Sequence, residues 1–104
     1  LVPDSIIENA QNVINNITNG EFSKEELEEI TDMVIDAVSI GEGRKLGDIV
    51  PDEEGNVPLT LEQKAIIDSI IEELKEEGKN KDLVDRLEKE FEEALEGKKC
   101  YIVR

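Results

Sequence analysis

The chain reads as mostly α: a four-helix bundle-like single domain with a long structured loop and a minor C-terminal β-strand. Three observations predict this. Apolar residues recur at helical spacing in four separate segments, capping or stopping residues bound each segment, and the composition turns β-prone after Gly97. A length of 104 residues leaves room for one domain spanning 1–104.

The first helix is expected near 4–19. Ile6, Ile7, Ala10, Val13, Ile14 and Ile17 form one stripe, Asp4 or Ser5 can cap the start, and Gly20 supplies a left-handed stop. Its other face is rich in amides (Asn9, Asn12, Asn15, Asn16) and nearly free of charge. A second helix is expected near 23–40, opened by the capping box Ser23-Lys24-Glu25-Glu26. Leu27, Ile30, Val34, Ala37 and Val38 make its main stripe. Met33, Ile35 and Ile40 widen the apolar arc, which argues for neighbours on two sides. Gly41 and Gly43 are expected to stop this helix.

Residues 41–59 hold Gly41, Gly43, Gly47, Gly55, Pro51 and Pro58 and read as a structured loop. Five aliphatics (Leu46, Ile49, Val50, Val57, Leu59) can anchor it to the core. A second capping box, Thr60-Leu61-Glu62-Gln63, opens a helix near 60–77 with Ile66, Ile67, Ile70, Ile71 and Leu74 inward and Gly78 as its stop. Asn80 is expected to cap a last helix near 80–96, with Leu83, Val84, Leu87, Phe91, Ala94 and Leu95 inward. Asp85–Lys89, Arg86–Glu90 and Lys89–Glu93 are spaced to pair along it. A strand is expected at 99–103, in a tail that also carries the cations Lys98, Lys99 and Arg104.

Charge narrows the function classes. Twelve basic and 27 acidic residues give a net charge of −15, which repels nucleic acid and anionic membranes. Histidine and tryptophan are absent and cysteine occurs once. That removes an intrachain disulfide, a Cys/His zinc site and a histidine-based triad. No apolar run approaches the roughly 20 residues of a membrane span, and no signal-peptide pattern is present. A cytoplasmic location is expected on that basis and on the lone cysteine. Asn16-Ile17-Thr18 matches a glycosylation sequon but falls inside the first expected helix.

Four groups of residues invite a chemical reading. Asp48, Asp52, Glu54, Asn56 and Glu62 cluster around Gly55 and are the candidate calcium ligands of the 48–62 loop. With Gly55 at position 6 of an EF-hand loop, Asp52 and Glu54 fall at ligand positions 3 and 5, but Val50 and Leu61 occupy 1 and 12. The leading expectation is no cofactor, with calcium in this loop as the alternative. Gly41-Glu42-Gly43-Arg44-Lys45-Leu46-Gly47 follows a helix rather than a strand and lacks the Gly-Lys-Ser/Thr ending, so it reads as a helix stop and flexible link, not a phosphate loop. Cys100 has Lys98 and Lys99 nearby but no histidine to act as its base, so it reads as a structural thiol. The tail residues Cys100, Tyr101, Ile102 and Val103 are the candidate partner-binding segment. They can pair inside the chain with Asp48–Val50 or Asn56–Leu59, or add to a sheet edge of a second copy or another protein.

Two short stretches resemble known families. Asp4-Ser5-Ile6, with Pro51-Asp52-Glu53-Glu54, resembles the attachment region of acyl carrier proteins. No helix precedes Ser5, however, and an N-cap explains it. Ser23–Leu27, followed by Pro51, an acidic stretch with Gly55, Pro58 and a helix, is similar to the immunity proteins of nuclease bacteriocins. Ile49-Val50 stands where those proteins have a tyrosine pair, and the last helix and tail have no counterpart there. The expectation is a non-enzymatic acidic interaction or assembly module whose partner is a protein with a basic surface, with homo-oligomerisation through the C-terminal strand as one mode. The alternatives are an acidic inhibitor of nucleic-acid-mimic or nuclease-immunity type, and calcium binding through the 48–62 loop.

Overall fold

Helices dominate the structure, and the chain's own caps decide where most of them begin. The computed structural model describes residues 3–103. Leu1, Val2 and Arg104 lie outside the described residues, and with them the outer ends of the expected 1–104 domain and the tail's third cation. In chain order the elements are α1 (Asp4–Ile17), α2 (Lys24–Ala37), α3 (Ile40–Gly47), β1 (Val57–Leu59), α4 (Leu61–Glu77), α5 (Lys81–Glu96) and β2 (Cys100–Ile102).

The mostly α class is observed, with five helices rather than four among the described residues. The helix expected over 23–40 ends at Ala37, and a further helix opens in the segment expected to be loop. Val38 and Ser39 adopt extended backbone, and Ser39 then starts α3 with a full capping box: its hydroxyl accepts from the Glu42 amide, and the Glu42 side chain accepts from the Ser39 amide. Ser23 with Glu26 and Thr60 with Gln63 repeat the device at α2 and α4. Gly41 and Gly43, expected as stops, lie inside α3, so the 41–59 segment is not one loop and 41–47 is not a flexible link. Packing explains the glycines. A β-carbon on Gly43 would lie 2.7 Å from Ile6 Cγ2, and one on Gly47 would lie 2.8 Å from Asn9 Nδ2. Each glycine costs a helix interior about 1 kcal/mol relative to alanine. At positions 43 and 47 it lets α3 lie directly on α1.

Two expected caps are also corrected. Pro3, not Asp4 or Ser5, is the N-cap residue of α1, and no side chain caps it; Asp4 sits in the first turn, where a negative charge suits the helix dipole. Asn80 begins α5 from a left-handed conformation, and its amide donates to Glu29 Oε2 at 2.9 Å instead of capping. The first helix ends at Ile17, two residues early. The Thr18 hydroxyl turns back onto the Ile14 carbonyl at 2.8 Å, and Asn19 and Gly20 then go left-handed.

The core lies where α2 meets α1, α4 and α5. Ile30, Leu74, Val84, Val57 and Leu59 are essentially sealed from solvent there. The sheet is a parallel pair, β1 with β2, in the register Val57–Cys100, Pro58–Tyr101 and Leu59–Ile102. Parallel strands require a crossover, and here α4 and α5 together provide it. An isolated two-stranded ribbon is marginal in water. This one persists because Val57, Leu59 and Cys100 point into the helical core.

Candidate functional site

The tail is tied down by the chain itself. The Val57 amide donates to the Lys99 carbonyl at 2.6 Å and the Val103 amide to the Leu59 carbonyl at 2.8 Å. These bonds fall on either side of Pro58, which has no amide to contribute, so the proline sits in the ribbon without breaking it. Of the two internal partners expected for the tail, the 56–59 segment is the one it uses. The four tail residues divide: Cys100 is buried, Tyr101 and Ile102 are half-buried, and Val103 is exposed. Burial pushes the Cys100 thiol up to about 11 against a weaker opposing pull from Lys99, which leaves it protonated and unreactive at neutral pH.

Side chains reinforce the ribbon. The Tyr101 hydroxyl donates to Asp52 Oδ2 at 2.9 Å, and Lys99 Nζ donates to the Gly55 carbonyl. The other Asp52 oxygen accepts from the amides of Glu54 and Asn56, both at 2.9 Å. Partial desolvation raises the Asp52 carboxyl. The Tyr101 hydroxyl and the surrounding amides outweigh it and hold the group below the usual carboxylate range. Tyr101 responds in the opposite direction: its bond to Asp52, then desolvation, raises its phenol.

The same bonds decide how the candidate calcium ligands stand. Asp52 spends both oxygens on the turn and the tail. Glu62 is drawn to Lys45, joining α4 to α3, and Asp48 sits at the C-cap of α3. Asp52, Glu54 and Asn56 share one turn, but the described residues assemble no group of three or more His, Cys, Asp or Glu side chains able to hold a metal ion.

The tail leaves α5 through a strained corner. Gly97 ends the helix, and Lys98 follows at φ 63°, in the left-handed region where glycine is usual. A lysine there costs about 1–2 kcal/mol.

Charge is distributed unevenly over the helices. By their sequences, α2, α4 and α5 together carry nineteen acids against six bases. In contrast, α1 and α3 carry three acids against two bases. Between α4 and α5 runs a groove of about 240 Å3 with Ile71 and Phe91 at its floor and Asp68, Glu72, Glu88 and Glu92 at its rims. Asp68 pairs with Lys64 at 2.7 Å and Glu88 with Lys75 at 3.0 Å. Among the described residues Glu72 and Glu92 have no cationic partner. Beneath the groove a wholly apolar gap of about 40 Å3 is shared by Ile71, Phe91, Ile14 and Val34. It is far below the roughly 300–1,000 Å3 of small-molecule sites.

Several residues that hold this arrangement carried no signal in the helix-by-helix reading. Arg86 does not pair with Glu90; it reaches Glu26 on α2 and lies 4.8 Å from the Phe22 ring centroid. The Ser23 amide, then Arg86, holds the Glu26 carboxyl below its usual range. Gln63 is buried, caps α4 with one end, and donates to the Lys45 carbonyl at 3.0 Å with the other. Of the expected pairs along α5 only Lys89–Glu93 forms, at 4.0 Å.

Comparison with known proteins yields no match among family models, curated proteins or solved structures. Among the described residues no helix is long and apolar enough to cross a membrane.

Proposed function

We propose that this protein is a non-enzymatic interaction module that binds a basic partner through its acidic helical face. The supporting observation is the α4–α5 groove: an apolar floor between acidic rims, two of whose carboxylates, Glu72 and Glu92, make no ion pair among the described residues. Such a surface suits a cationic amphipathic segment. The negative field attracts and orients the segment, speeds encounter and rejects acidic competitors, with a small apolar contact at the floor beneath it. The tail is less suited to lead, because β1 already occupies one of its edges.

The test is capture from the source cell's lysate by wild-type protein and by Glu72→Lys/Glu92→Lys. The reading expects a basic protein that the wild type retains at low salt and the double variant releases. Equal capture by both proteins, or capture indifferent to salt, contradicts it.

A further inference from the structure

We propose that two copies of this chain exchange their C-terminal strands, each β2 pairing with the other's β1 to give a dimer opened at Gly97–Lys99. The receiving surface is already visible within one chain. β1 accepts a strand in a single register, the Asp52 turn accepts a tyrosine hydroxyl, and the Gly55 carbonyl accepts a lysine. A second copy's tail carries the same groups in the same order, so every contact made in one chain can be remade between two. The exchange is independent of the acidic groove and of what binds there.

Three features favour opening. The hinge is only three residues long, and short strained hinges promote exchange of the element beyond them. Lys98 is held at φ 63° in the closed chain, and an extended hinge releases it to the ordinary region. The segment is also small: three residues in register and two side-chain bonds must part, and Cys100 with Ile102 must leave the core, a burial that the partner's tail restores when it docks. Opposing it is the mutual repulsion of two chains of −15, so the dimer should grow with salt as well as with concentration.

The experiment is light scattering on size-separated full-length protein over a concentration series, for wild type, Lys98→Gly and Lys98→Pro. Glycine removes the strain from the closed chain, about tenfold for each hinge, and because two hinges open per dimer it is expected to lower the dimer association constant about a hundredfold. Proline cannot adopt φ 63°, so it forbids the closed form and is expected to make the dimer predominant. Circular dichroism confirms that each variant keeps its helices. In dimer mixed from isotope-labelled and unlabelled chains, proton contacts between Leu59 of one copy and Ile102 of the other establish exchange. A helical but monomeric Lys98→Pro, or a dimer whose Leu59–Ile102 contacts stay within one chain, overturns the proposal.

Discussion

Gly43 shows how one atom sets the spacing of two helices. With Ile6 Cγ2 only 2.7 Å from the site of a β-carbon, Gly43→Ala forces α1 and α3 apart. It should cost about 1–3 kcal/mol by overpacking. Gly41, one turn-edge away, has only Ser39 Oγ at 4.0 Å. There the same change should stabilise by about 0.4–1 kcal/mol, since alanine suits a helix and restricts the unfolded chain. Urea unfolding of both variants checks the contrast, and equal effects would contradict the packing argument. Tyr101 offers a second reading at this scale, because it is the chain's only tyrosine and tryptophan is absent. Its phenol is raised, so its bond to Asp52 stabilises fully below an ordinary tyrosine pKa of about 10 and is lost as pH climbs through the higher folded value. The Asp52 carboxyl is lowered, so its contribution is complete above about pH 4 and is lost as pH falls through the lower folded value. Absorbance titration of the phenolate should give a midpoint above that of free tyrosine. In Asp52→Asn the midpoint should fall back toward it.

Helix starts are readable where a serine or threonine three residues before a glutamate or glutamine also follows a break in the helical pattern; the same spacing at Ser5–Glu8 and Ser69–Glu72 falls inside helices. Ser23 and Thr60 announce α2 and α4 in this way. Ser39 with Glu42 is the same signature, but the glycines at 41 and 43 read as breakers because their value lies in clearance against α1, which no local pattern reveals. Ser39→Ala should therefore cost about 1 kcal/mol and fray α3, while α2 keeps its own cap. Loss of amide protection confined to the first turn of α3 is the expected signature in hydrogen exchange. The tail's strand character and one of its two internal partners were also legible from β-prone residues beside a glycine. The acidic groove was not. Helical periodicity identifies which residues face inward, but which rims adjoin depends on the pairing of α4 with α5. Likewise, Arg86 had a choice of acids along its own helix and took Glu26 on another, where Phe22 also stacks.

Across the molecule, nineteen of the 27 acids lie on α2, α4 and α5, and few have a cation at hand. Self-repulsion on that scale opposes the folded state, and salt relieves it by shortening the screening length from about 10 Å at 0.1 M to about 3 Å at 1 M. The melting temperature should accordingly rise by several degrees over that range; a fall would mean that exposed ion pairs such as Lys75–Glu88 outweigh the repulsion. Binding should respond to salt in the opposite sense, because attraction to a basic partner is screened too. The most direct measurement is a titration of a lysine- and leucine-rich amphipathic helical peptide into wild type, Glu72→Lys/Glu92→Lys and a control, Glu25→Lys/Glu28→Lys, whose reversals change net charge equally on α2. The groove reading predicts that the first double variant weakens binding at least tenfold and the control only slightly, with the gap closing in high salt. Equal weakening by the two pairs would show that net charge alone attracts the peptide and that the α4–α5 groove plays no part.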